Sequence, residues 1–158
     1  MDQKIYYLVR SRPRAKGEVL PAGSHGRAVA QYKHLTAAAT HGWKLAIEFG
    51  LETSRLQEAP AKPSRFESSF AFLSLADAEG QRRQFGPTAG VYEVELVNPA
   101  APRHIADYDL FLTICRSEPH VDFIPKLRTH AQAYWQGVCK GMRELLTTSD
   151  LRVSRRLQ

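Results

Sequence analysis

Apolar and polar residues alternate over short stretches of this chain, and the period of that alternation predicts several strands. Residues 5–9 form a compact β-rich run that ends in a basic, proline-containing turn. Residues 68–74 are predicted to form a mostly buried strand. Residues 90–97 alternate between a face with Tyr92, Val94 and Leu96 and a face with Val91, Glu93, Glu95 and Val97, which is typical of a strand.

The strand predicted at residues 90–97 should have one core face and one solvent face. Tyr92 and Val94 lie on the face that we expect to be buried. Glu93 and Glu95 lie on the opposite face. We expect that face to be charged and exposed to solvent rather than catalytic.

A period near 3.6 residues marks three helical stretches. Residues 24–56 are predicted to be a helical segment, in which Gly42 and Gly50 favour two helices over one. Residues 75–85 form a shorter helical stretch. The most regular pattern follows Pro125, which suits the first position of a helix. Its apolar positions are Leu127, Ala131, Tyr134, Trp135, Val138 and Met142.

The remaining segments decide the fold class. Residues 58–64 contain two prolines and form a connector that is too short to separate domains. Residues 110–114 fit a strand or a helix equally well. Residues 145–147 and 151–155 are expected to pair as a hairpin around a polar turn. Because strands and helices mix without a strict βαβ alternation, the sequence predicts one α+β domain over residues 1–158.

The charge of the chain suits an anionic partner. Its 22 Lys and Arg residues outnumber 16 Asp and Glu residues and give a net charge of +6. The excess is concentrated in residues 10–16, at residues 82–83 and in residues 152–156. Such clusters suit a dinucleotide pyrophosphate, a nucleic acid or an acidic protein. A basic surface that meets only solvent explains the same pattern equally well.

Several classes of protein are disfavoured by the sequence. No apolar run reaches the roughly 18–20 residues of a membrane helix, so no membrane contact is expected. The first residues lack the features of a signal peptide, and we expect a cytoplasmic protein or one delivered by a specialised secretion system. Cys115 and Cys139 have no CxxC spacing and the histidines form no HxxxH or HExxH array, so no metal site is expected. The GxGxxG, Walker and GxSxG motifs are absent as well.

Three short segments stand in an order that resembles the ADP-ribosyltransferase superfamily. They are residues 7–10 (Tyr-Leu-Val-Arg), residues 66–70 (Phe-Glu-Ser-Ser-Phe), and residues 144–146 (Glu-Leu-Leu) followed by residues 151–153 (Leu-Arg-Val). One branch of that superfamily has an Arg on its first strand, a Ser at the start of a second conserved strand, and a Glu beside its last hairpin. The resemblance implies an α+β fold with a split two-sheet core and flanking helices, which clamps NAD between its sheets.

Two further stretches resemble particular members of the superfamily. Residues 63–97 are similar to rifampin ADP-ribosyltransferase and related small enzymes, in which a strand, a short helix beginning Asp-Ala (residues 77–78 here) and a Val-Tyr-Glu-Val-Glu strand follow one another. Residues 134–137 (Tyr-Trp-Gln-Gly) are similar to an uncharacterised bacterial branch. The resemblance implies an NAD-dependent mono-ADP-ribosyltransferase of bacterial or phage type that serves as a toxin, effector or modifying enzyme.

The resemblance also implies a role for each candidate site residue. Glu144 would accept the ribose 2′-hydroxyl of NAD, the co-substrate, and stabilise the charge that develops as nicotinamide leaves. Arg10 would hold the ribose or the pyrophosphate. Ser68 or Ser69 would orient the nicotinamide ribose, and the expected catalytic residues are Glu144, Arg10 and Ser69. The rings expected to stack on nicotinamide are Phe70 and Phe72.

The chain departs from the family pattern in ways that bear on the acceptor. Many small members carry His on the first strand and Tyr on the second. This chain has Arg10 and, near the Tyr position, Ala71 or Phe72. Branches that modify arginine side chains carry a second acid two residues before the catalytic Glu. Because that position is Met142 here, we expect an acceptor other than protein arginine, either a macromolecule or a small molecule.

Other interpretations of the same residues are open at this point. A non-catalytic basic module that binds nucleic acid or an acidic protein partner would account for the clustered arginines. An inactive fold of this type could serve as a scaffold that binds a partner. Arg10 would then simply end a strand, Ser68 and Ser69 would begin one, and Glu144 would cap a junction between a helix and a strand.

Overall fold

A computed structural model of the protein describes residues 4–31 and 38–158, with side chains at these positions except 38–40. Within these ranges no helix is both long and apolar enough to cross a membrane. The described strands are β1 (Tyr6–Arg10), β2 (Val19–Leu20), β3 (Ser69–Phe72), β4 (Gly90–Leu96), β5 (Arg103–Asp107), β6 (Arg143–Thr147) and β7 (Leu151–Arg156). The described helices are α1 (Ser24–Ala30), α2 (Ala38–Glu58), α3 (Leu75–Phe85), α4 (Tyr108–Cys115) and α5 (Phe123–Gln136).

The strands join in one antiparallel sheet, whose order is β2-β7-β4-β1-β3-β6-β5. β1 lies in the middle and pairs with β3 and β4. Within the described residues, β2 and β5 are the two edges, so the sheet is open. An antiparallel sheet with helices as a separate layer is an α+β fold, and the predicted class is confirmed.

Helices cover the apolar side chains on one face of the sheet. Leu146 on β6 packs with Ile47 and Leu51 of α2 and with Tyr134 and Trp135 of α5. Burial of this surface is the main force that holds the helical layer on the sheet. A neighbouring cluster lies under α3 and contains Val9, Phe72, Ala78, Ala89 and Val91.

The opposite face of the sheet is buried by residues from strands alone. This strand-only cluster has eight members, each at most 3% exposed: Tyr6, Leu8, Ala71, Tyr92, Val94, Leu145, Leu151 and Val153. A flat sheet would leave such a face open to water. The sheet therefore curls around the cluster, as strongly twisted antiparallel sheets do.

The connection between β6 and β7 requires the same curvature. The hairpin expected from residues 145–147 and 151–155 is wrong, because β6 pairs with β3 and β5 whereas β7 pairs with β2 and β4. In a flat sheet, β6 and β7 would lie four strand spacings apart, about 19 Å. The chain from Thr147 to Leu151 spans at most about 14 Å. The sheet must bend until these two strands approach each other across the strand-only cluster.

Ser149 stabilises the turn that connects β6 to β7. The residue is 2% exposed, and its Oγ accepts a hydrogen bond from the backbone N–H of Asn98 at 2.9 Å. The same hydroxyl donates to the carbonyl of Asp150 at 2.7 Å. The N–H of Val97 also donates to that carbonyl, at 3.0 Å. The turn after β6 is therefore joined to the loop that follows β4.

Among the described residues, the predicted helical segment at residues 24–56 holds α1 and α2, and neither helix ends at a predicted glycine. α2 runs through both Gly42 and Gly50, and residues 32–37 lie outside the described ranges. A Cβ at Gly50 would collide with the side chain of Leu127 on α5. This glycine permits the close packing of two helices rather than ending one.

Two other sequence predictions are resolved at helix ends. Residues 110–114 lie in α4, whose N-cap Asp107 accepts a hydrogen bond from the N–H two residues further on at 2.9 Å. α5 begins at Phe123, so Pro125 is its third residue and not its first. It still lies in the first turn, whose N–H groups have no intrahelical partner.

α5 ends before Gly137, which has a φ of 75°. Val138 and Met142, which were predicted as apolar positions of this helix, lie beyond its end.

β4 is buried on both faces along most of its length. Tyr92 and Val94 belong to the strand-only cluster, as predicted. Glu93 was expected on an exposed face, and this is wrong because the residue is only 9% exposed. Its carboxylate accepts two hydrogen bonds from Arg155 on β7, at 2.6 and 2.8 Å. The paired arginine makes it possible to bury a charge at this position.

Replacing Ser149 with alanine is expected to lower the free energy of unfolding by about 1–2 kcal/mol, because the N–H of Asn98 would lose its hydrogen-bond acceptor. Urea unfolding followed by circular dichroism measures the change. Thr148→Ala, at the exposed neighbouring position, is the control and should change the free energy by less than about 0.5 kcal/mol. Equal effects in the two variants would contradict the role given to Ser149.

Candidate active site

A cavity of about 510 Å³ lies between the helices and the sheet. Its volume is in the range of small-molecule sites, roughly 300–1,000 Å³. Charged groups of both signs and several aromatic rings face this one space. The lining includes Arg10, Phe70 and Glu144 from the sheet, and His25, Glu48 and Phe111 from the helices.

Glu144 lies on β6 at a position that faces the helices. It stands opposite Phe72 in the pairing of β3 with β6, and cross-strand partners share one face of a sheet. The residue is 2% exposed, and its Oε1 accepts hydrogen bonds from the Tyr134 hydroxyl at 2.7 Å and from Nη1 of Arg65 at 3.3 Å. Burial raises the pKa of Glu144 above its ordinary value, although Arg65 and Tyr134 oppose the shift.

Arg65 is the cation at the centre of the buried charges. Its Nε and Nη2 donate to the two carboxylate oxygens of Glu48 at 2.9 and 3.3 Å, and its Nη1 reaches Tyr134 and Glu144. The guanidinium carbon also lies 4.3 Å from the ring centroid of Phe111. Burial opposes the charge, but the attraction of Glu48 and its neighbours raises the pKa of Arg65 well above its usual value. Arg65 therefore stays charged and links α2 to β6.

Glu48 is the fully paired carboxylate of this cluster. In addition to Arg65, it binds His25, whose Nε2 lies 2.9 Å from Oε1. Burial alone would raise the pKa of Glu48, but the charge of Arg65 and the hydrogen bonds from His25 and Arg65 lower it to about 2. The two carboxyl groups of the cavity thus differ in acidity, since the pKa of Glu144 is raised. Such a difference is common where two acids have separate chemical tasks.

Arg10 faces the cavity from the end of β1. Its Nη1 donates to the carbonyl of Val9 at 3.0 Å. Among the described residues, no carboxylate lies within ion-pair distance of its guanidinium. Burial and the nearby charge of Arg14 lower the pKa of Arg10. A bound anion would offset both the cost of burying the Arg10 charge and its repulsion by Arg14. Arg10 is therefore suited to bind an anion.

The structure brings together three of the residues that the sequence predicts for the site. Arg10, Phe70 and Glu144 come from β1, β3 and β6, which are neighbouring strands at the centre of the sheet. Their side chains face the same cavity although they are far apart in the chain. The grouping supplies a cation, an aromatic ring and a carboxyl group in one place.

The other three predicted residues lie elsewhere, because Ser68, Ser69 and Phe72 are not among the described residues that line the cavity. The fully buried hydroxyl of Ser68 donates to the carbonyl of Ser64 at 2.6 Å. Ser69 lies on the strand-only face of β3, since successive residues of a strand point to opposite faces. Phe72 packs edge-on against Tyr108, with ring centroids 5.4 Å apart.

The residues that surround Glu144 were not predicted from the sequence. Glu48 carries one signal that could have been used. It lies on the buried stripe of α2 together with Ile47 and Leu51, and a charged residue on such a stripe needs a buried partner. Arg65 carries no comparable signal, since it follows the proline-containing connector and belongs to no periodic element. The missed residues are His25, Glu48, Arg65 and Tyr134.

No protein-family model matches the chain, and no curated protein matches it in sequence. Within the described ranges, no group of three or more His, Cys, Asp or Glu side chains is arranged to hold a metal ion. Cys115 also lines the cavity, but burial raises the pKa of its thiol to about 11, so it is protonated and a weak nucleophile at neutral pH. The groups best placed for chemistry are the carboxyl, guanidinium, imidazole and aromatic side chains.

Arg65→Met is expected to lower the free energy of unfolding by about 3–5 kcal/mol near neutral pH, because Glu48 and Glu144 would be buried without their cation. In this variant burial raises the pKa of both carboxyl groups, so the folded state binds protons more tightly than the unfolded state. The loss should be largest well above the ordinary carboxyl pKa of 4.5 and shrink as the pH falls toward it. Urea unfolding at several pH values measures this dependence.

Two further variants serve as controls for Arg65→Met. Adding Glu48→Met removes one stranded carboxylate and should restore part of the lost stability. Arg82→Met breaks a partly exposed pair with Glu79 and should cost less than about 1 kcal/mol. A loss that is equal in both arginine variants and independent of pH would contradict the buried ion cluster.

Proposed function

We propose that the protein is an NAD-dependent mono-ADP-ribosyltransferase, which cleaves the nicotinamide–ribose bond and transfers ADP-ribose to an acceptor. The observation that carries the proposal is the buried carboxyl group of Glu144, which faces a cavity also lined by Arg10 and Phe70. These are positions at which the sequence resembles ADP-ribosyltransferases. Groups of these three kinds suit a dinucleotide with a cationic nicotinamide ring and an anionic pyrophosphate.

Glu144 supplies the negative charge for bond cleavage. As nicotinamide leaves, positive charge develops at the anomeric carbon of the ribose, and a nearby carboxylate stabilises it. Both hydrogen bonds that the described residues donate to the carboxylate of Glu144 go to Oε1. Its Oε2 is therefore the oxygen that can accept the ribose 2′-hydroxyl. Because the group is buried, its attraction for the developing charge is stronger than it would be in water.

Arg10 and Phe70 bind different parts of NAD. The guanidinium of Arg10 binds the pyrophosphate through charge-assisted hydrogen bonds. The Phe70 ring stacks on nicotinamide and is held in place by two neighbours. The guanidinium carbon of Arg65 lies 4.8 Å from its centroid, and the His25 ring lies edge-on at 5.5 Å. A ring that is already fixed loses little further freedom when it binds a ligand.

Arg65 and Tyr134 act as positioning residues for Glu144. Both are buried, and both bind the same carboxylate oxygen. Their hydrogen bonds fix where the negative charge lies relative to the cavity. Transition-state stabilisation depends steeply on such placement, so this support contributes to the rate although neither side chain has to touch the reacting atoms.

The alternative of a basic module that binds nucleic acid or an acidic protein has less support. Several of the arginines that suggested it are paired with carboxylates, as Arg14 is with Glu18 and Arg155 is with Glu93. Stacking on nucleic-acid bases requires exposed aromatic rings. Phe49 and Phe85 are exposed, but Tyr134, the ring that bonds the central arginine of the charged cluster, is fully buried. The buried carboxyl group at the cavity has no role in such a module.

Glu144→Gln keeps the size of the side chain but removes its charge. We expect the rate of nicotinamide release from NAD to fall by about 100- to 1,000-fold, because the developing positive charge loses its counter-ion. Chromatography of released nicotinamide, with and without a cell lysate that supplies acceptors, measures the rate. Glu95→Gln changes an exposed carboxylate on β4 and should leave the rate unchanged.

Two results would count against the assignment of Glu144 in different ways. Equal release by wild type and by Glu144→Gln would show that another group provides the charge. No release by the wild type, even with lysate present, would overturn the proposed function itself. Circular dichroism of the variant checks that the fold is retained.

Arg10→Gln is expected to raise KM for NAD by about 10- to 100-fold with a smaller change in kcat, because a hydrogen bond to a charged group contributes about 1.5–3 kcal/mol. Initial rates at increasing NAD concentration separate the two constants. Arg12→Gln, at the exposed position two residues further on, should leave KM unchanged. A similar KM in all three proteins would remove Arg10 from the NAD site.

A further inference from the structure

His25 is a cavity-lining residue that the account of NAD cleavage does not use. It is the second residue of α1, and its side chain is 30% exposed. Its Nε2 lies 2.9 Å from Oε1 of Glu48, and its ring lies edge-on to Phe70. The imidazole is thus held by a buried carboxylate on one side and an aromatic ring on the other, while part of it stays accessible.

The bond to Glu48 decides which nitrogen of the neutral imidazole carries the proton. Glu48 is ionised at neutral pH, so both of its oxygens can only accept hydrogen bonds. Nε2 of His25 must therefore be the donor, and Nδ1 keeps a free lone pair. Among the described residues, no hydrogen bond engages Nδ1. A carboxylate that orients an imidazole in this way is the arrangement by which histidine serves as a general base.

We propose that His25 is the general base that deprotonates the acceptor of ADP-ribose, and that the acceptor is a hydroxyl group or water. This inference rests on the proposed function, since it concerns the second half of the same reaction. Glu48 orients the imidazole and stabilises its charged form. His25 and Glu144 then have separate tasks at the two reacting partners.

The reaction balances with these groups alone. The bond between the ribose C1′ and the nicotinamide nitrogen breaks, and its electron pair leaves with nicotinamide, which becomes neutral. The oxygen of the acceptor forms the new bond to C1′. The proton of that oxygen passes to Nδ1 of His25 and from there to solvent through the exposed part of the ring.

The two carboxyl groups of the cavity, Glu144 and Glu48, are less suited to deprotonate the acceptor. Glu144 already binds Tyr134 and Arg65 through Oε1, and its remaining oxygen is assigned to the ribose. The oxygens of Glu48 are occupied by Arg65 and His25, and a carboxylate with a pKa of about 2 is a weak base. The imidazole of His25 is the group whose remaining nitrogen, Nδ1, is engaged by no hydrogen bond among the described residues and can take up the proton.

The test compares His25→Gln with wild type, using NAD as donor and water as acceptor. The amide nitrogen of Gln can take the place of Nε2 and keep the hydrogen bond to Glu48, but the side chain is not a base. We expect release of nicotinamide to fall by at least about 100-fold, the lower end of the contribution that a general base makes. Added sodium azide should restore the rate in the variant and yield ADP-ribosyl azide, because azide attacks without losing a proton.

Each outcome of this experiment separates the two proposals. Suppose that wild type releases nicotinamide. If His25→Gln releases it equally fast, or releases it slowly and is not rescued by azide, then His25 is not the base and only this inference is overturned. If wild type is inactive with both water and azide, the proposed function fails. His130→Gln on α5 is the control and should behave as wild type, since His130 bonds the Lys126 carbonyl away from the cavity.

Discussion

The positively charged Arg65 lies between α2 and β6, where Glu48 and Glu144 are its counter-ions. A buried charge of this kind is tolerated only when its partners are close and hydrogen-bonded. The three side chains therefore fix how near α2 can approach the sheet at this point. The cavity beside them is bounded by the same groups. The shape of the candidate site and the stability of the fold thus depend on one interaction.

The ion cluster also sets the chemistry of the cavity. One carboxyl group is held strongly acidic by the guanidinium and the imidazole, whereas the other has its pKa raised by burial. Glu48 can accordingly act as a permanent anion that orients His25. Glu144 is buried on the helix-covered face of β6, where a carboxylate interacts strongly with charge that develops on a bound substrate. The two acids suit the two halves of a group transfer.

Local patterns predicted much of the secondary structure, whereas long-range contacts decided the rest. The bounds of α3 agree with the sequence because Ser74 caps its start and Gly86 follows its end. The pairing of β6 and β7 did not agree, since a short polar turn suits either a hairpin or a crossing within a curled sheet. Arg10, Phe70 and Glu144 were expected from a resemblance, and they line one cavity. The Glu48–Arg65 pair was not expected, because pairing between buried charges is decided by tertiary packing.

The central claim is that NAD binds in this cavity with its nicotinamide ribose beside residue 144. A crystal structure of Glu144→Gln soaked with NAD tests it most directly, because the variant should bind the intact dinucleotide without cleaving it. The account predicts NAD in the cavity, with its pyrophosphate at Arg10 and its ribose 2′-hydroxyl within hydrogen-bond distance of the residue 144 side chain. NAD bound elsewhere, or an empty cavity at saturating NAD, would contradict the account.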